Sequence, residues 1–414
     1  MRKIAILGNM NNLGFIWLRY LIDAGCDADL FLYSNDGSDG LAHFAPDFQN
    51  HQGIARSVHP TKIKNSLRSA HFVFEMIGLL YERKMNLLGF VRDVRQLRID
   101  RARLLSYDLI ITMGVGPLFL MRYGRAVDLF YPYAIGVDNV GTINVDELIK
   151  NSSLIKRLIG KFVQKRQVAA LKKSRVNLTS DKGINVQVYN AHCIPHKVAV
   201  MPSVYLRHDL KKSQPIAKAE LNLVFHGRHY WVNDECFEPD QWVSRSKNTD
   251  FIIKALRIFK DKRPCSNVRL TLVEYGKDVD RTKDLIIELG LSEIVKWVPV
   301  LEEKQLQELI SGCDAGIGEF YQTENTFWGC AGWEVLGAGK PLIQGGKLTD
   351  LSEREYSEKG VLLANNPEEI AEHMLRLFDS PGLAAELGVK ARGYFETSHS
   401  GKHIIELLLG VEPA

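Results

Sequence analysis

KIAILGNMNNLGFIWLRYLIDAGCDADLFLYS, residues 3–34, is the stretch that decides the fold. Residues 3–8 form a short apolar run closed by a glycine, the pattern of a strand covered on both faces of a parallel sheet. NMNNLG (9–14) reads as a loop, residues 15–25 as an amphipathic helix stopped by Gly25, and residues 27–34 as the next strand. Strand, helix and strand in that order open a doubly wound α/β sheet through a right-handed crossover.

Working outward, the strand-then-glycine pattern returns at 107–116 and 129–138, and KVAVMPS (197–203) reads as the last strand of the first half. Residues from about 203 to 219 are polar and include Pro215, which suggests a linker. The second half then starts again. LNLVFHGR (221–228), VRLTLVEYG (268–276), VKWVPV (295–300), DAGIGEF (314–320), PLIQG (341–345) and GVLLA (360–364) read as strands. Helical periodicity falls at 249–262, 282–290, 303–313 and roughly 330–338. The expected layout is an N-terminal Rossmann-like domain (1–203), a linker (204–219) and a C-terminal Rossmann-like domain (220–390). A final helix (391–414) would pack back on the first domain. Two such domains would face each other across a cleft, where open parallel sheets bind ligands.

Composition narrows the class. The chain has 414 residues, 45% hydrophobic and 25% charged, which is ordinary for a soluble globular protein. No run approaches the roughly 18 apolar residues of a membrane span. The N-terminus lacks a signal-peptide pattern. Six scattered cysteines without a CxxC spacing suggest neither zinc nor disulfides, and a cytoplasmic location is expected. The net charge of +4 is unevenly shared. Residues 1–205 hold 27 Lys and Arg against 16 Asp and Glu, a net of +11, while the remainder is acidic. Such asymmetry suggests that the two halves meet different partners.

The segments LVFHGR, KNTDFIIKAL, LTLVEYG, IVKWVPVLEEKQLQELISGCDAGIG and TFWGCAGWEVLGAGKPLI follow one another between residues 221 and 345. In order and spacing they resemble the donor half of GT-B glycosyltransferases, most of all the retaining family 4. The first half is similar only in architecture. The resemblance implies a GT-B fold, a nucleotide-diphosphate sugar as donor and no metal.

It also implies site residues. Glu334 matches the second glutamate of the family's pair and would bind the donor's ribose hydroxyls. A carboxylate can accept from two adjacent hydroxyls, and a helix N-terminus beside it offers N–H groups to a diphosphate. Arg228 and Lys247 match the family's cations and would cradle the diphosphate as charge grows on the leaving group. The first glutamate of the pair falls at Thr326, a departure; Thr326 or Glu324 would reach the sugar instead. Phe327, Trp328 and Gly329 complete a turn over the sugar and phosphates. Glycines 329, 332, 337 and 339 read as positions of close ligand approach. Gly14, in the first βα loop, is the candidate donor contact from the N-terminal half. The family's histidine near the end of an N-terminal strand has no counterpart; Tyr133 or Asp138 would stand in, with Asp138 the catalytic candidate.

Other motifs read as decoys or surfaces. DVD (278–280) and DAD (27–29) have the DxD spacing of metal-dependent enzymes, but no metal is expected. The insert 229–246 carries two tryptophans and reads as a lid or a packed loop. Residues 148–175 hold nine Lys and Arg and no acid, with apolar columns at helical spacing. With the arginines of 92–103, they form a candidate surface for anionic membrane. No nucleic-acid module is present. The expected function is sugar transfer to a saccharide or lipid-linked acceptor in bacterial surface polymer or glycolipid synthesis, at the inner face of the plasma membrane. A catalytically silent partner subunit and a nucleotide-sugar epimerase or hydrolase are the alternatives.

Overall fold

A computed structural model describes residues 2–9, 12–31, 101–113, 116–132, 154–179, 184–199, 201–206, 220–234, 246–320, 329–346, 352–399, 401, 405–407 and 410. The chain divides into two compact units, Met1–Tyr205 with Gly401–Ala414, and Leu206–Ser400.

Unit 1 begins with β1 (Lys3–Leu7), α1 (Leu13–Asp23) and β2 (Asp27–Phe31). It continues with α2 (Arg101–Leu105), β3 (Leu109–Thr112), α3 (Gly116–Arg122) and β4 (Leu129–Phe130). Then come α4 (Leu154–Leu171), β5 (Val176–Thr179), α5 (Ile184–Ala191) and β6 (Lys197–Val198). The strands are parallel, in the order β2-β1-β3-β4-β5-β6. The apolar run of β1 is explained by two-sided burial. Ile4 and Ile6 face one core with Trp17 of α1, and Ala5 and Leu7 face a second with Phe31 and Phe130.

The strand at 176–179 and the helix at 184–191 were not marked by the sequence, because both are short and weakly periodic. Residues 201–205 are fixed to α1: Trp17 Nε1 donates to the Pro202 carbonyl at 2.8 Å, and Tyr20 donates to that of Val204 at 3.0 Å. The first unit therefore runs two residues beyond the expected 203.

Unit 2 contains β7 (Glu220–Phe225), α6 (Thr249–Lys262), β8 (Asn267–Val273), α7 (Val279–Glu288), β9 (Val295–Val298) and α8 (Glu303–Ser311). After these come β10 (Ala315–Ile317), α9 (Cys330–Gly337), β11 (Leu342–Gln344), α10 (Glu353–Ser357), β12 (Val361–Leu363), α11 (Pro367–Asp379) and α12 (Pro381–Ser398). Its parallel sheet has the order β12-β11-β10-β7-β8-β9. The winding direction reverses between β7 and β10, and ligands of open sheets bind outside the carboxyl ends of strands at such a switch point.

The final helix differs from expectation. All of α12 lies in unit 2, where Phe395 packs against Trp333 and Ala391 sits under Gly360; residues 401–414 belong to unit 1.

Candidate functional site

The two strands that flank the switch point of unit 2 each deliver charged side chains just past their carboxyl ends. After β7 come His226, Gly227, Arg228 and His229. After β10 come Gly318, Glu319 and Phe320. Arg228 is exposed, with its guanidinium 6.0 Å from the centre of the Tyr275 ring.

Its neighbour His229 is fully buried and anchors the turn. Its backbone N–H donates to the Tyr275 carbonyl at 2.7 Å, and its ring nitrogens lie 3.2 Å from Thr282 Oγ1 and from the Val273 carbonyl. Burial pushes its pKa down to about 4, so the ring is neutral. Gly276 (φ +120) completes this packing: a Cβ there would lie 2.4 Å from the His229 carbonyl oxygen.

Asp278, the first acid of the DVD motif, is buried and accepts from the backbone N–H groups of Trp231 (2.7 Å) and Val232 (3.0 Å) and from Arg281. It is an anchor for the same turn. Asp29 of the DAD motif accepts from Tyr107 and pairs with Arg103. Among the described residues no group of three or more potential ligands could hold a metal ion.

Lys247 reaches the site from the far end of the insert. Its backbone is held on both sides: its N–H donates to the Tyr230 carbonyl at 2.7 Å, and its carbonyl accepts from Phe320 N–H at 3.2 Å. The next residue, Asn248, takes a left-handed backbone (φ 46) and donates from its side chain to the Phe320 carbonyl at 2.6 Å. The insert thus leaves and returns to one fixed base. The Lys247 side chain is 9% exposed as a residue and its ammonium donates to Glu319 Oε2 at 2.6 Å. Burial lowers its pKa most; Glu319 opposes that shift, and Arg228 adds to it.

Glu319 is held in turn by Gln344. Its backbone N–H donates to Gln344 Oε1 at 3.3 Å, and its carbonyl accepts from Gln344 Nε2 and from Gly345 N–H. Gly329, the N-cap of α9, comes so close that a Cβ there would lie 3.3 Å from Glu319 Oε2.

Glu334 lies in the second turn of α9, and its Oε2 is 2.8 Å from His226 Nε2. His226 Nδ1 is buried with no partner among the described residues, which leaves Nε2 as the ring nitrogen that meets Glu334.

Gly337 and Gly339 answer to packing and turn geometry. A Cβ on Gly337 would meet Leu206 at 2.8 Å, and Gly339 (φ +71) takes the left-handed turn that ends the helix. These two correct the expectation of ligand approach at every glycine in the stretch. Gly14 is likewise explained by packing, since a Cβ there would stand 2.2 Å from the Gly8 carbonyl oxygen and wedge α1 off β1.

The structure therefore brings Lys247, Glu319 and Gly329 together at the end of β10, and Glu334 with His226 at the end of β7, with Arg228 close enough to bear on Lys247. Asp138, Tyr133, Glu324, Thr326, Phe327 and Trp328 lie outside the described residues. The sequence reading missed Glu319, His226 and His229. The signal was present: HGRH closes one strand and GEF another, and polar residues at the carboxyl ends of parallel strands face the ligand side.

Comparison with known proteins agrees with this layout. Residues 243–394 match the family model described as Glycosyl transferases group 1. HepE of Anabaena, solved with UDP-glucose, superposes with a TM-score of 0.56 at 16% identity, covering 99% of this chain and 100% of that one. The chain has the GT-B fold. Two more GT-B structures align over nearly their whole lengths. Sucrose-phosphate synthase from Thermosynechococcus elongatus gives a TM-score of 0.53 at 15% identity, with 99% and 98% of the chains covered. TarM of S. aureus gives 0.53 at 13%, with 99% of each covered. A search of curated protein sequences finds no match. In GT-B terms, the matched family segment includes Lys247, Glu319, Gly329 and Glu334, and begins after Arg228.

Proposed function

We propose that this chain is a glycosyltransferase whose second unit holds a nucleoside-diphosphate sugar and passes the sugar to a saccharide or lipid-linked saccharide. The observation that carries the reading is the placement of Arg228 and Lys247 past the ends of β7 and β10, the strands on either side of the switch point. In sugar transfer the bond between the anomeric carbon and the β-phosphate oxygen breaks, and the nucleoside diphosphate departs with added negative charge. Arg228 and Lys247 are the cations that would stabilise it. Glu334, oriented by His226, would accept from the ribose hydroxyls.

The match to the group 1 family and the UDP-glucose held by HepE support a nucleotide-sugar donor. We further propose a retaining, metal-independent reaction in bacterial surface polysaccharide or glycolipid synthesis. In that reading unit 1 meets the acceptor, Asp138, Glu324, Thr326, Phe327 and Trp328 contribute from the segments next to the strand ends, and the basic stretch 148–175 meets an anionic membrane at the inner face. No helix among the described residues is long and apolar enough to cross a membrane. Lys161, Lys165 and Arg166 of α4 are exposed. Arg103, expected in the second basic cluster, is turned to Asp29 and the Phe31 ring.

A thermal-shift screen of nucleoside diphosphates and their sugars tests the proposal, since a ligand specific for the folded state raises the melting temperature with concentration. One nucleotide should shift the transition, and Arg228→Ala should abolish the shift. No shift with any nucleotide would favour a catalytically silent partner subunit. Consumption of donor without acceptor would point to an epimerase or hydrolase.

A further inference from the structure

We infer that Glu319 is a positioning residue that keeps Lys247 charged and aimed at the donor diphosphate, so that diphosphate binding becomes pH-dependent when Glu319 loses its charge. The inference rests on the donor-site reading above.

Both members of the Lys247–Glu319 pair are 9% exposed, and their charged atoms are 2.6 Å apart. Burying such a pair is costly, and an apolar pair of similar volume often serves stability as well or better. A buried lysine therefore calls for a use of its charge. The pair is also built rather than incidental. Gln344 and Gly345 fix the backbone of Glu319, while Tyr230 and Phe320 fix that of Lys247. Gly329 brings the N-cap of α9 against the same carboxylate, so the pair stands at the positive end of that helix.

Three groups bear on the lysine's charge. Glu319, from beyond β10, favours the ammonium; Arg228, from beyond β7, disfavours it; Cys330, the first residue of α9, favours it weakly. With Glu319 neutral, burial and Arg228 together drive Lys247 toward the neutral amine, which offers a phosphate no charge. Glu319 thus supplies no bond to the donor in this account; it acts through Lys247.

Calorimetric titration with UDP-glucose and the other common nucleotide sugars, at pH 6.5 and 8.5, tests this. Their diphosphate is a diester with no ionisation in that range. Wild type should bind one of them with nearly equal affinity at both pH values. Glu319→Gln should bind about tenfold more weakly at pH 8.5 than at pH 6.5, the ratio expected for each unit by which the lysine's pKa falls below the working pH. Glu319→Asp should lie between them, and serves if Glu319→Gln does not fold. The double variant Lys247→Arg with Glu319→Gln, whose guanidinium stays charged, should lose the pH dependence.

Tighter binding by Glu319→Gln at both pH values would make the carboxylate a plug that the donor displaces. Equal weakening at both would make its role structural. Either result overturns the inference.

A second measurement needs no ligand. The amine of Lys247 is titrated by NMR on chain with labelled, methylated lysines, and its signal is assigned by Lys247→Arg. A midpoint at least one unit lower in Glu319→Gln supports the inference, and an unchanged midpoint refutes it. If wild type binds no nucleotide sugar, the donor reading fails while this titration still decides the state of Lys247.

Discussion

His229 should make the second unit sensitive to mild acid. The ring is fully buried, tilted against Trp297 and edge-on to Phe225, and its pKa is pushed from 6.5 down to about 4. Burial is the main cause; the Val273 carbonyl and Asp278 pull the other way, and Lys283 adds to the fall. In the unfolded chain the ring titrates near its ordinary value. Below that value the unfolded state binds a proton that the native state refuses, so stability falls with pH. The contribution is whole above about pH 7 and is lost as pH drops from 6.5 toward 4. A difference of two to three pKa units is worth about 3 kcal/mol.

Full-length wild type and His229→Gln would be unfolded in urea at intervals between pH 7.5 and 4, following the tryptophan signal. Titration of the carboxylates is common to both proteins and cancels in the difference. The stability advantage of wild type over the variant should shrink by about 3 kcal/mol across that interval. A difference that stays constant within about 1 kcal/mol would mean that folded His229 accepts its proton at an ordinary pH, and the account of the turn as a neutral, dehydrated anchor would fail.

Further outcomes are expected. Glu334→Ala should weaken nucleotide binding by about 1.5–3 kcal/mol, the usual range for a hydrogen bond to a charged group, as read by calorimetry; an unchanged Kd would remove Glu334 from the donor site. Gly276→Ala combines a positive φ with a Cβ set against the His229 backbone, so it should cost about 1–3 kcal/mol of stability and also weaken nucleotide binding by displacing Arg228. Thermal melts with and without nucleotide separate the two effects. Wild type should float with liposomes containing anionic lipid and not with neutral ones. Replacing Lys161, Lys165 and Arg166 with glutamate should reduce flotation, at about 1 kcal/mol per cation near the surface; equal flotation by the variant would dismiss the α4 face.

Much was legible before any coordinates. The apolar runs of β1 and β7, each closed at a glycine or near one, mark buried parallel strands because both faces of such strands are covered. Residues 249–262 show the three-and-four spacing that α6 buries through Ile252, Ile253, Leu256 and Phe259. Arg228, Lys247 and Glu334 could be named from the order of segments. The four-residue strand β5 and the eight-residue helix α5 carry too little pattern to read.

What sequence alone determined about this protein is therefore its class and the positions of its main strands, with Arg228, Lys247 and Glu334 as candidates for the site. Tertiary structure decided the partners. Glu319 lies 72 residues from Lys247, and His226 lies 108 residues from Glu334. No local spacing joins them; they meet because β7 and β10 pair side by side at the reversal of the sheet. The glycines followed the same rule. Gly337 and Gly14 are fixed by what packs against them, and a neighbour distant in the chain leaves no periodic trace in the sequence.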